Sequence, residues 1–480
     1  MYDVTIIGAG ICGASVAYFL SQKNIRLCVI DKETDVSMGT TKANSAIVHA
    51  GYDPEPGTLM AHLNVRGSEM IERLAPKLSV PYKQIGSLVL AFDERDMQTV
   101  RRLYERGIKN NVKGLEILTA EETLSKEPNI TKSIKGALYA PTAAIVSPWE
   151  LCIALCEVAA KNGCEFFLEN EVKVIAIGSD CFEIKTNERK IRSRYVINAA
   201  GVHADSICKM AGSCDFSMLP SKGQYFLLDK SQGDLVRHVL FQCPSEDSKG
   251  VLVSPTTAGN LIVGPNAERS NTPEDTSTTR SGLDHVAQIA SKTTDKLNYK
   301  ENVRNFSGLR AVSTREDFII EPSSFSKRFI NVAGIKSPGL SAAPAIAEYV
   351  LGLLEDAGLE ADCKESFSQG RRHIVFAELS DEEKHKLIKV NPLFGNVICR
   401  CNTVTEGEIV QVLRSPLPPR TLDGVKRRAG TGMGRCQGGF CSPRVHEIIS
   451  RETGIPFEQV ELDKKGSYIV ANDFSNKSKD

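Results

Sequence analysis

The first 31 residues constrain the fold more than any other stretch. Val4-Thr5-Ile6-Ile7 is a short apolar, β-branched run of the kind expected for a buried parallel strand, and Gly8-Ala9-Gly10-Ile11-Cys12-Gly13 follows it directly. Ala14 to Leu20 then reads as a helix, Ile25 to Ile30 as a second strand, and Asp31 comes 18 residues after Gly13. The glycines have separate tasks: one frees the backbone for a tight turn, one lets a pyrophosphate approach the main chain, and one lets the helix pack closely on the strand. The positive end of the helix then faces the phosphates, and the Asp31 carboxylate can accept bonds from a ribose diol. The glycine pattern alone would also suit a turn in an unrelated α/β domain. Strand, loop, helix, strand and acid in that order point to dinucleotide binding.

A chain of 480 residues has room for two to four domains at roughly 100–200 residues each. Its 59 basic and 59 acidic side chains balance, which gives no overall attraction for phosphodiester backbones or anionic lipid and excludes nucleic acid as a first expectation. No apolar run approaches the roughly 18 residues needed to span a bilayer, and Met1-Tyr2-Asp3-Val4-Thr5 does not begin a signal peptide. A cytoplasmic protein without its own membrane anchor is expected, with any membrane association made through a partner.

The segment Thr40 to Gly51 is small, polar and glycine-bearing, so its backbone could lie against a flat ring. Its Asn-Ser-x-x-x-His-x-Gly pattern (Asn44 to Gly51), the N-terminal motif, Asn198-Ala199-Ala200-Gly201 after an apolar strand, and Ser337-Pro338-Gly339-Leu340 before a helix together resemble the FAD-dependent oxidoreductases of the D-amino-acid oxidase superfamily. Within it the chain is most like glycerol-3-phosphate oxidases and dehydrogenases and L-2-hydroxyglutarate oxidases. The resemblance covers about residues 1–362. It implies an α/β chain with a discontinuous Rossmann-like FAD-binding domain (1–80, 146–215 and 306–362) and an inserted α+β substrate domain (81–145 and 216–305). Strand-like runs at Ser87-Leu88-Val89-Leu90, Gln224 to Leu228 and Gly250 to Val253 fit the insert, and helical patterns at 150–163, 203–211 and 341–354 fit the flavin domain.

The resemblance also implies site residues. Gly8, Gly10, Gly13, Asp31, Lys42, Asn44, Ser45, Val172, Ala200, Gly201, Gly308, Gly339 and Leu340 are expected to hold FAD. Oxidising a secondary alcohol needs a base for the hydroxyl proton, and an imidazole accepts a proton near neutral pH. His49 is the expected base; a purely structural role or flavin attachment are its alternatives. An anionic substrate needs a positive partner, for which Arg310 is expected, with Arg315 as a neighbour. Lys249, Ser337 and Tyr225 are expected to bind substrate, with Lys222 beside Tyr225 in the strand that roofs such sites. For Arg310, Lys249 and Ser337, a surface or structural role is the plain alternative.

Fourteen cysteines are present, and only Cys399, Cys401, Cys436 and Cys441 form a group. Four thiolates in two pairs suit a four-cysteine metal centre, although structural zinc usually separates paired ligands by two to four residues rather than one. With Gly430 to Gly439 supplying backbone amides, the spacing resembles the bacterioferritin-associated-ferredoxin type of [2Fe-2S] domain; zinc and unligated thiols are the alternatives. Arg400, Lys426, Arg427, Arg428, Arg435 and Arg444 would offset the negative cluster or dock an acidic redox partner. The expected organisation is completed by a linker (363–394), the [2Fe-2S] domain (395–455) and a tail (456–480).

A flavin takes two electrons at once and such a cluster passes them singly. The resemblance therefore implies a dehydrogenase converting sn-glycerol 3-phosphate to dihydroxyacetone phosphate, with electrons leaving through the cluster to a second flavoprotein or other redox subunit of a hetero- or homo-oligomer. L-2-hydroxyglutarate, or another 2-hydroxy or amino acid, is the alternative substrate. A non-catalytic electron-transfer subunit is the alternative role.

Overall fold

A computed structural model describes residues 1–244, 250–270 and 272–470. The strand Tyr2–Ile7 pairs in parallel with Leu27–Ile30 on one side and with Lys190–Asn198 on the other. Glu165–Phe167 and Ser326–Ala333 extend the parallel sheet outward, and Ile319–Ser323 closes one edge antiparallel. A parallel sheet is covered on both faces, which is why its strands read as continuous apolar runs. One face packs on the helices Ile11–Leu20, Leu59–Lys77, Pro148–Lys161 and Gly339–Asp356, around Val4, Ile6, Val29 and Ile330. The other packs on a meander, Val172–Ile177, Phe182–Thr186 and the start of Lys190–Asn198, and on the helix Ala204–Ala211. Each fully buried aliphatic side chain in this sandwich contributes roughly 1.5–3 kcal/mol.

A second sheet, of nine strands among the described residues, lies beside the first. Its long pair Ser221–Leu228 and Asn302–Arg310 is antiparallel throughout. Asn302–Arg310 runs across the expected boundary at 306 and belongs to this sheet over its whole length. One face of the sheet packs on the helix Arg280–Ala290. Tyr225, Val239, Leu252 and Ile262, on the opposite face, meet Ile47 and Ile145 of a three-stranded sheet made by Ile47–Val48, Tyr82–Gln84 and Ala144–Val146. That contact places the 40–49 loop between the two large sheets.

Residues 363–380 are pinned across the first domain. Tyr18 Oη donates to the Gln369 carbonyl (3.1 Å), and Arg371 Nη1 to Glu157 (2.7 Å). The expected linker also holds the helix Asp381–Val390, started by a Ser380/Glu383 capping box. The C-terminal domain joins the hairpin Val397–Cys399 and Val404–Thr405 to the helices Glu406–Leu413, Leu422–Ala429 and Ser442–Thr453 around Ile409, Val425, Val445 and Ile449. Val460 is buried in the same core, so the chain past 455 helps complete it.

Candidate functional site

The glycine loop shows the division of labour its sequence implies. Gly8 has φ +108°, and a Cβ there would lie 2.4 Å from the Ala199 carbonyl oxygen. A Cβ on Gly13 would lie 1.9 Å from the Gly8 oxygen, so any side chain would force the helix off the strand. Gly10 begins the helix without a side-chain cap, and its Cβ position meets only Thr41 Oγ1, at 3.4 Å. The helix therefore opens towards a ligand at the one glycine where space is left. Asp31 Oδ2 accepts from the Ala9 amide (2.7 Å) and Oδ1 from the Glu33 amide (2.9 Å). Burial pushes the Asp31 carboxyl up to about 6, against the pull of those two amides.

These groups line a cavity of about 1310 Å³, larger than the roughly 300–1,000 Å³ of ordinary ligand sites. Of the expected FAD residues, Gly8, Gly10, Asp31, Lys42, Asn44, Ser45, Val172, Ala200, Gly201, Gly308, Gly339 and Leu340 lie on its wall. Gly13 lies behind it, as a packing residue. Asn44 has a local task as well: its amide donates to the Thr41 carbonyl (2.8 Å) and its oxygen accepts from the Ala46 amide (2.8 Å), shaping the loop before His49. A Cβ on Gly308 would sit 1.8 Å from the Ala43 oxygen, so that strand and this loop touch backbone to backbone.

His49, Arg310, Ser337 and Tyr225 also face this cavity. The His49 amide donates to Ser341 Oγ (2.8 Å), its ring stacks on Phe241 at 5.8 Å, and Nε2 lies 3.3 Å from Ser337 Oγ. Arg310 donates to the Asn266 carbonyl (3.0 Å) and to Ser221 Oγ (3.4 Å); among the described residues no carboxylate pairs with it. Tyr225 is buried, stacked on Phe306 at 4.7 Å and bonded to Ser45 Oγ at 3.1 Å. Burial raises its phenol pKa, with Arg310 and the Ser45 bond opposing.

Other expectations do not converge here. Arg315 is held by Glu321 (2.7 Å) and Asp215 and is not on the cavity wall, because two carboxylates already satisfy it. Lys222 is bonded to Asp275 at 2.8 Å and also lies off the wall, since alternate residues of its strand point to opposite faces of the sheet. Lys249 lies outside the described residues. The sequence reading missed Phe241 and Phe306, which signal themselves only by three-dimensional stacking, and the C-terminal residues Lys426, Gly430, Met433 and Gln437 on the same cavity wall.

At the cysteine site the sulfurs fall into two pairs. Cys401 and Cys436 lie 3.7 Å apart, and Cys399 is hydrogen-bonded to Cys441. The Cys441 thiol and the amides of Gly432, Asn402 and Cys401 hold the Cys399 thiol down to about 5, and the amides of Phe440 and Gly438 lower Cys436. Gly432 and Gly438, with φ of +72° and +91°, supply backbone turns that a side chain would strain. Paired cysteine sulfurs under a canopy of amides fit a dinuclear iron–sulfur group, whose sulfurs take bonds from such amides.

Residues 3–353 match the family described as FAD dependent oxidoreductase. The chain belongs to this family. Residues 397–451 match the BFD-like [2Fe-2S] binding domain, which favours the cluster over zinc at the cysteines. The cofactors of this flavoprotein are thus FAD and a [2Fe-2S] cluster. It is 50% identical to a glycerol 3-phosphate dehydrogenase of Caloramator mitchellensis, over 98% of each chain. A glycerol 3-phosphate oxidase of Mycoplasma genitalium is 32% identical, over 73% of this chain and 94% of that one. Among solved structures, the FAD-bound L-alpha-glycerophosphate oxidase of Mycoplasma pneumoniae aligns with a TM-score of 0.74 and 30% identity, over 78% of this chain and 99% of that one. Nearly all of each oxidase is matched, while over a fifth of this flavoprotein has no counterpart in either. No helix among the described residues is long and apolar enough to cross a membrane.

Proposed function

We propose that this chain is an FAD-dependent dehydrogenase that oxidises sn-glycerol 3-phosphate to dihydroxyacetone phosphate and passes the electrons to a partner redox protein through its C-terminal domain. The observation that carries the reading is the pairing, on one cavity wall, of a histidine ring with an arginine that no carboxylate among the described residues engages. The near-full-length similarity to the Caloramator dehydrogenase supports it.

Bound FAD supplies the acceptor for the carbinol hydrogen with its electron pair, and the cluster supplies a one-electron outlet. His49 takes the hydroxyl proton at Nε2. For that the ring must be neutral with its lone pair on Nε2, and Ser337 Oγ, at 3.3 Å, can donate there until the substrate hydroxyl arrives. Arg310 has a guanidinium fork for the phosphate and so fixes which carbon faces the flavin. Its carbonyl contact at Asn266 leaves donors to spare, since a guanidinium carries five N–H groups. Ser45 and Tyr225 close the wall beside it.

The test is an anaerobic substrate panel with a dye acceptor. Glycerol 3-phosphate is expected to bleach the flavin and reduce the dye. Bleaching by L-2-hydroxyglutarate or an amino acid, with glycerol 3-phosphate inert, would replace the proposed substrate.

A further inference from the structure

Six basic residues flank the cysteine ligands in sequence, yet four of them face the flavin-bearing body: Lys426 on the cavity wall, and Arg427, Arg428 and Arg435 through ion pairs. Arg427 and Arg428, adjacent in the helix Leu422–Ala429, are both buried. Arg428 grips Asp35 with two nitrogens, Nη1 to Oδ2 (2.7 Å) and Nη2 to Oδ1 (2.8 Å). Arg427 reaches the same Asp35 Oδ2 (3.1 Å) and also Asp463 (2.7 Å), which in turn accepts from Lys42 Nζ at 2.9 Å. Asp35 is only 3% exposed and lies four residues after the ribose acid Asp31. Arg435, on the cysteine loop itself, pairs with Asp229 and Glu301 beside the second sheet.

A buried ion network of this kind adds little net stability over a well-packed apolar contact, but its geometry is directional, and removing one member leaves a buried charge without its partner. An apolar interface can slide; a fork on a fixed carboxylate cannot. The chain leaving this helix contributes Gly430, Met433 and Gln437 to the cavity wall and carries Cys436. The register of the helix therefore sets where the cysteine loop stands relative to the flavin cavity, and the rate of electron transfer falls steeply with separation.

We propose that Arg427 and Arg428, clamped on Asp35, are positioning residues that hold the cysteine-bearing domain in register with the flavin cavity, so that the exit of electrons from the flavin depends on them and oxidation of the substrate does not. The inference rests on the dehydrogenase reading for the direction of electron flow. Two electrons enter with each substrate and leave singly, so a displaced domain leaves the flavin reduced and the cluster waiting.

The test uses the full-length holoprotein with Arg428→Met, and Arg428→Lys, which keeps the buried charge but loses the fork, as a milder change should the first fail to fold. Two measurements are made: flavin bleaching followed by the rise of the reduced cluster's paramagnetic signal, and limited proteolysis of the resting protein between residues 363 and 395. For Arg428→Met, flavin reduction should stay within about twofold of the parent, while cluster reduction slows by about tenfold or more and cleavage speeds up by a similar factor. Arg428→Lys should shift both in the same direction by about threefold. Unchanged cluster reduction and cleavage, or flavin and cluster reduction slowed equally, would overturn the proposal. Light-driven flavin reduction with a sacrificial donor replaces glycerol 3-phosphate in a parallel arm, so a wrong substrate assignment and a wrong positioning role give different results.

Discussion

The two cofactor sites are built in opposite ways. The flavin cavity draws its wall from segments spread between Ile7 and Lys464, delivered by many different strands and loops, whereas the four cysteines come from two short turns, 399–401 and 436–441. A dispersed site shares its binding among many backbone contacts, so losing one side chain should weaken it by degrees. A compact ligand set with one thiolate per coordination position has no spare, so losing one should abolish it.

Cys399→Ser is the harshest way to break that contrast. It should remove the iron altogether while FAD stays bound, as iron analysis and the flavin absorbance spectrum would show; a partly loaded cluster would mean that the site is less cooperative than argued. Next, His49→Ala should slow flavin reduction by about 10²–10⁴-fold with FAD retained, read by anaerobic stopped flow. A loss of FAD instead would move His49 from proton transfer to cofactor attachment. Arg310→Met should cost about 10- to 100-fold in kcat/KM, mainly through KM for the phosphate substrate, the range for losing a hydrogen bond to a charged group.

The smallest effect concerns Asp31. Its carboxyl is raised to about 6 in the cofactor-free protein. An acid whose folded pKa lies above its unfolded value binds the extra proton in the folded state, so the cofactor-free fold loses stability as pH rises from about 4 through 6. The ribose diol needs the ionised carboxylate, so FAD retention should strengthen over that same rise. Fluorescence of released FAD should follow this profile, and Asp31→Asn should flatten it and weaken binding by about tenfold at pH 8.

The same contrast explains what was legible in the sequence. The glycine loop and Asp31 are local, and the order of strand and helix fixes their geometry; the helix read from Ala14 is Ile11–Leu20, and the strand read at Tyr195-Val196-Ile197 is the end of Lys190–Asn198. Arginines were read less well, because a guanidinium's partner is set by tertiary contact. Arg310 stands on the cavity wall with a carbonyl and a hydroxyl for partners, Arg315 is spent on Glu321, and Arg427 and Arg428 turn inward to Asp35, nearly 400 positions away in the chain. The helix Asp381–Val390 could have been found, since Ser380-Asp381-Glu382-Glu383 spells a capping box. The clamp on Asp35 could not, since nothing local in Thr34-Asp35-Val36 marks a buried acid awaiting two arginines.

One measurement tests the whole account most directly: adding glycerol 3-phosphate without oxygen to the purified holoprotein while recording the flavin absorbance and the cluster's paramagnetic signal together. The flavin band should fall and a reduced-cluster signal should then appear, both slowed by His49→Ala and only the second delayed by Arg428→Met. A flavin that bleaches beside a cluster that stays oxidised, or a substrate that leaves both unchanged, would contradict it.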